Sequence, residues 1–325
     1  MGVKLKIAIL SLALYAPSLS VQSQKKLDVF EVVALTNRAM VHIKEQKYVE
    51  SLKELKQLLP YNPYRAGFLL GEQYYYGQGT EKNVSEALWY YKISGEEGHP
   101  ISQQTLGVYY DKNISQNPDL AYYWNRKASL NPDGVDCHDA GPCMYNLGTY
   151  YLKGIGISQN ELLAELWISL AALLEYAAAE DHIEETYNII GDRNTEEEEI
   201  QYHKELFKHF YTLIRPYLSE NSIESLSVKS YYYLLEGDLS SYVNAAKKLY
   251  NMPNLSKEGK KLIGEGLINY YRGYKYDKYN AEIIENEINN LGKIDEDLYD
   301  IWFTQQFVMA VGELDEKIVK SQKGY

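Results

Sequence analysis

The stretch AGFLLGEQYYYGQG, Ala66 to Gly79, decides the fold because it returns twice in altered form. SQQTLGVYYDK begins at Ser102 and CMYNLGTYYLKGIGI at Cys143. Each copy holds Leu-Gly-x-x-Tyr, carried by Leu70, Gly71 and Tyr74, then Leu106, Gly107 and Tyr110, then Leu147, Gly148 and Tyr151. The leucines lie 36 and 41 positions apart. A second block follows each copy at Glu86, Leu120 and Leu163, aligning Ala87, Ala121 and Ala164, and also Tyr90, Trp124 and Trp167. Each unit therefore reads as two helical patterns joined by a turn. A period of roughly 20–50 residues is the signature of a stacked repeat array.

The physics of the unit is legible. A glycine inside a helix costs about 1 kcal/mol relative to alanine. Paying that cost at Gly71, Gly107 and Gly148 predicts a close approach of two helices at each. The pairs Gly77/Gly79 and Gly154/Gly156 end the first helix of their units, where positive φ is needed. The second unit lacks this pair. Gly-x-Gly here follows a helix, and no third glycine follows, which excludes a dinucleotide fingerprint.

The Leu-Gly-x-x-Tyr, Gly-x-Gly and Ala-x-x-Trp/Tyr elements resemble Sel-1-like repeats, relatives of the tetratricopeptide repeat, over residues 64–180. Upstream, 29–63 resembles one tetratricopeptide unit through Tyr48, Ser51, Leu52, Leu55, Leu58 and Pro63, with Ala39 at the usual glycine and His42 at the usual tyrosine. Residues 181–325 show helical patterning, with Gly237, Tyr242 and Ala245 echoed by Gly273, Tyr279 and Ala281 as a trace of divergent repeats. Thr195 with Glu198 forms a capping box. The acidic run Glu196 to Glu199 then lies in a first helical turn, where the helix dipole favours acids. No strand-like alternation of convincing length occurs. The expected fold is all-α: a solenoid of antiparallel helix pairs continued by a helical C-terminal half.

Lys4 and Lys6, the apolar run Ile7 to Ala16, and the small residues Ser18, Ser20 and Ser23 follow the order of a secretory signal peptide, read as residues 1–23. The run is shorter than the roughly 20 apolar residues needed to span a bilayer. The mature chain is therefore expected to be exported, periplasmic or secreted, without a transmembrane segment. With 45 acidic against 33 basic residues the net charge is −12, which carries no electrostatic footprint for nucleic acid. The 33 tyrosines are the one compositional oddity.

Catalytic motifs are missing from the sequence. The histidines at 42, 99, 138, 182, 203 and 209 form no His-Glu-x-x-His. Neither a nucleophile elbow nor a phosphate-cradling Gly-Lys-Ser/Thr loop occurs. The expectation is a non-enzyme with no cofactor and no metal. Cys137 and Cys143 bracket CHDAGPC, whose spacing matches no common zinc pattern. In an exported chain such a pair is expected to form a disulfide. Some Sel-1-like proteins are cysteine-rich and linked to β-lactam hydrolysis; a single pair departs from that pattern.

The resemblance implies a scaffold or adaptor that binds a protein or peptide. In such arrays the first helices line the concave face, and the motif residues are consumed by packing. The remaining stripe at helical spacing is Phe68, Glu72 and Tyr75, then Gln104, Val108 and Asp111, then Tyr145, Thr149 and Leu152. Two alternatives stand beside this reading: a hydrolase acting on β-lactams or cell wall, and a peptidoglycan- or carbohydrate-binding module using tyrosines as stacking platforms.

Overall fold

The computed structural model describes residues 27–112, 116–131, 134, 140–189, 195–273, 275, 277–291 and 298–322. The leader expected over 1–23 lies outside them, as does Cys137. Every regular element among the described residues is helical. Two helices precede the repeats: α1 (Val29–Lys44) and α2 (Tyr48–Leu58). Three pairs follow: α3 (Pro63–Tyr76) with α4 (Val84–Glu96), α5 (Pro100–Lys112) with α6 (Pro118–Ser129), and α7 (Ala140–Lys153) with α8 (Glu161–Leu173). Then come α9 (Ala177–Tyr187), α10 (Glu196–Ile214), the pair α11 (Ile223–Leu235) and α12 (Leu239–Tyr250), the pair α13 (Lys257–Gly273) and α14 (Lys278–Asn289), and α15 (Leu298–Gln322). Helix pairs pack within themselves and onto the next pair, giving the expected solenoid of paired antiparallel helices.

Local chemistry explains the boundaries. Asn62, Asn83 and Asn160 accept a backbone N–H through their side chains and cap α3, α4 and α8. Asp28 with Glu31 opens α1, and Thr195 with Glu198 opens α10, each as a reciprocal capping box. Gly79 and Gly156 adopt φ of +71° and +68°. There a Cβ would stand 2.5 Å from the Tyr48 carbonyl carbon in one unit and 2.7 Å from the Pro118 oxygen in the other. The second glycine of each pair thus seats its turn against the start of the preceding unit's second helix.

The core runs as a succession of clusters along the array. Leu35 and Ala39 meet Leu55, Leu58 and Leu70 at the N-terminal end. Tyr91, Leu106 and Trp124 form the next cluster. Leu147, Trp167, Phe207 and Phe210 pack with Phe307, Val308 and Val311 of α15. Ile263, Leu267 and Trp302 fill the last. The echo in the C-terminal half breaks at tyrosine, since Tyr242 is buried whereas Tyr279 is exposed on the first turn of α14.

The expected Cys137–Cys143 disulfide is corrected. Among the described residues the structure holds no disulfide, and Cys143 carries a reduced thiol. It occupies the position of Ala66 in the first unit and is fully buried on α7 beside Tyr150. The side chain serves there as a small apolar filler.

Candidate functional site

The three central pairs share one contact. A Cβ on Gly71 would stand 2.6 Å from the Tyr91 ring, on Gly107 3.1 Å from the Asn125 side chain, and on Gly148 2.6 Å from Ile168. Tyr91, Asn125 and Ile168 each follow the aligned aromatic of the second helix, so the same two helical positions touch in every unit. That recurrence assigns the units. Three segments match the Sel1 repeat family. They are residues 65–99, 100–133 and 141–176. Among solved structures, a Sel1 repeat protein from Oxalobacter formigenes is 28% identical over 41% of this chain and 97% of its own, with a TM-score of 0.35. A protective antigen present in uropathogenic Escherichia coli strains, displaying an SLR fold, is 16% identical over 87% of this chain and 62% of its own, at a TM-score of 0.40.

The stripe on the first helices of the Sel1-type units divides in two. Glu72, Gln104 and Asp111 are used internally. Glu72 accepts from the Tyr91 hydroxyl at 2.5 Å, and Asp111 accepts from Tyr150 at 2.6 Å, tying α7 to α5. Gln104 is buried and donates to the Gly134 carbonyl at 3.3 Å. Phe68, Tyr75, Val108, Tyr145 and Thr149 are half-buried, and Leu152 is exposed. Phe68 stacks on His99 with centroids 4.3 Å apart; burial pulls that imidazole down to about 4, with nearby Arg65 acting in the same direction. Tyr75 lies beneath the Lys82 ammonium, 5.3 Å from its centroid. Tyr145 leans on Tyr176 at 5.6 Å and on the core of the third unit.

A second constellation was not foreseen from the sequence. The carboxylate of Asp315 on α15 is completely buried against the second and third units. Its Oδ1 accepts from Arg126 Nε at 2.8 Å and Nη2 at 2.6 Å. Its Oδ2 accepts from the Tyr151 hydroxyl at 2.6 Å and Trp167 Nε1 at 3.1 Å. Tyr122 lies 3.1 Å from the Tyr151 hydroxyl and completes the chain of donors. Burial, reinforced by the Asp315 charge, pushes the Tyr151 phenol far above its ordinary range, so it remains a donor. Gly312, one turn before Asp315, lets α15 approach Leu130; a Cβ there would stand 2.7 Å from that side chain. Tyr151 and Trp167 are motif residues, so the motif itself builds a carboxylate receptor that the chain's last helix fills.

Among the described residues, one group brings metal-capable atoms together: Glu175, Glu199 and His203, with ligand atoms within 4.8 Å of one another. Both carboxylates are exposed, and Glu199 belongs to the acidic first turn of α10. A half-buried polar cluster joins α8, α9 and α10. His182 Nε2 is 3.5 Å from Glu165, and Tyr187 is raised to about 12 by burial and by Glu165. The Tyr187 ring covers His209 at 4.1 Å. Nothing in these groups forms a nucleophile–base pair. No described helix is long and apolar enough to cross a membrane.

Proposed function

We propose that the chain is an exported helical-repeat scaffold, periplasmic or secreted, that binds a protein or peptide partner along the first helices of its Sel1-type units. One observation carries this reading: after internal packing, Phe68, Tyr75, Val108, Tyr145, Thr149 and Leu152 still leave side-chain surface on successive first helices. Aromatic and aliphatic groups on a rigid array supply large contact area at low entropic cost, and Tyr adds a polar tip. Glu72 and Asp111, held by Tyr91 and Tyr150, act as fixed polar markers beside that stripe.

The test uses a partner captured from envelope extract, with affinity measured against the wild type and the Tyr75→Ala, Leu152→Ala double variant. Neither side chain belongs to a core cluster's buried set, so unfolding should be little changed. Binding should weaken by about tenfold or more, since a hot-spot side chain contributes more than about 1 kcal/mol. Unchanged affinity in the folded double variant would put the partner elsewhere on the molecule.

A further inference from the structure

Glu175 stands where the first unit has a glycine. Aligning the second helices on Ala87 and Ala164 sets Glu175 opposite Gly98. Both residues turn the chain out of a second helix with positive φ, +95° at Gly98 and +58° at Glu175. A Cβ on Gly98 would touch nothing within 4 Å, so that turn uses backbone alone. The third unit puts a glutamate into the left-handed turn, where glycine is the relaxed choice. That side chain reaches α10. A carboxylate oxygen of Glu175, one of Glu199 and a ring nitrogen of His203 all lie within 4.8 Å of one another.

We propose that these three side chains bind one divalent transition-metal ion of the zinc type, which braces the α8–α9 turn against α10. Glu199 and His203 are four positions apart on α10 and share one face of it. The cap of α10 is made by Thr195 with Glu198, so Glu199 is left outside the capping box. Among the described residues, neither Glu175 nor Glu199 forms a salt bridge with lysine or arginine; their basic neighbour is His203, 3.8 Å from Glu175. Two carboxylates this close repel each other, and a divalent cation between them turns that repulsion into attraction. One imidazole with two carboxylates is a mixed set that favours zinc and its neighbours over calcium and magnesium, which take oxygen ligands. Zinc bonds of roughly 2.0–2.2 Å set tetrahedral ligand atoms about 3.4 Å apart. The exposed glutamates and half-buried His203 can close to that spacing by side-chain rotation. Water takes the fourth position. Sequence spacing does not show the group, because Glu175 and Glu199 come from different helical segments.

Calorimetric titration with zinc chloride tests the site in a Cys137→Ser background, which removes that thiol as a competing ligand. One ion should bind per chain with a micromolar Kd, and cobalt(II) should develop visible absorption bands at the same stoichiometry. Glu175→Gln, Glu199→Gln and His203→Ala should each weaken binding by about tenfold or more, with the helical spectrum unchanged. The double variant Glu196→Gln, Glu197→Gln removes charge from the same helical turn but keeps the three ligands, and its affinity should be nearly that of the parent. Zinc should slow hydrogen exchange in the first two turns of α10 in the parent and not in His203→Ala. No binding at about 1 mM zinc overturns the proposal. So does an equal loss in the Glu196/Glu197 variant, or calcium binding as tightly as zinc, either of which would mean a diffuse acidic surface. Binding lost in His182→Ala and kept in His203→Ala would place the ion beside Glu165 and overturn the assignment. Zinc bound without slower exchange in α10 would overturn the brace.

Discussion

The Sel1-type units and the last helix are held by opposite means. Within a unit, the contacts that matter join residues about 20 positions apart: Gly71 with Tyr91, Gly107 with Asn125, Gly148 with Ile168. Helix α15 is instead fixed by Asp315, whose partners Trp167, Tyr151 and Arg126 lie 148, 164 and 189 positions away. The units rely on shape, and a missing methyl group sets how closely two helices approach. The last helix relies on a buried charge satisfied by four donor atoms. Shape errors can relax by small shifts; an unpaired buried charge cannot.

That contrast fixes the order of expected effects. Asp315→Ala should cost the most, about 3 kcal/mol, because it leaves the largely buried Arg126 uncompensated and strands the Tyr151 and Trp167 donors. Chemical denaturation checks the size. If the change is confined to loosening of α15, hydrogen exchange should rise in that helix before it rises in the units. A loss under about 1 kcal/mol would show that the buried carboxylate is not what holds the helix.

Next come alanines at the unit glycines. Each gains about 1 kcal/mol of helix propensity. At Gly148 the added Cβ stands 2.6 Å from Ile168 and 2.8 Å from the Ala164 carbonyl, where backbone cannot yield. Gly148→Ala should therefore be destabilising by about 1–2 kcal/mol net. At Gly107 the nearest atoms are the Asn125 amide at 3.1–3.3 Å, so Gly107→Ala should come within about 1 kcal/mol of neutral. Equal losses at the two sites would mean that helix contact distance does not grade the units.

A pH-dependent effect concerns the first unit's His99. Its folded value, about 4, lies below the ordinary 6.5 because burial against Phe68 and Tyr64 disfavours the charged ring. The unfolded chain takes up the proton first as pH falls. The stabilisation is therefore complete above about 6.5 and is lost progressively between there and about 4. Melting curves at pH 7 and pH 5 should show a larger loss for the wild type than for His99→Phe, which keeps a ring but cannot charge. Parallel losses would remove His99 as the source.

The sequence itself determined what depends on near neighbours. Leu-Gly-x-x-Tyr repeated at 36 and 41 positions specified the helix pairs. The glycine pairs specified the turns, Thr195 with Glu198 the start of α10, and the alignment of Tyr90, Trp124 and Trp167 the buried face of the second helices. These signals are legible because helix period, capping and left-handed backbone are properties of a few consecutive residues. Tertiary structure alone decided that Glu72, Gln104 and Asp111 are spent on internal hydrogen bonds, and that Cys143 is buried as a thiol. It alone showed that, among the described residues, the Asp315 carboxylate is completely buried and the outer stripe of α1 is exposed. A carboxylate reads alike in sequence whether solvated or buried. Only the convergence of donors from three other helices, at distances the local pattern does not encode, makes its burial favourable.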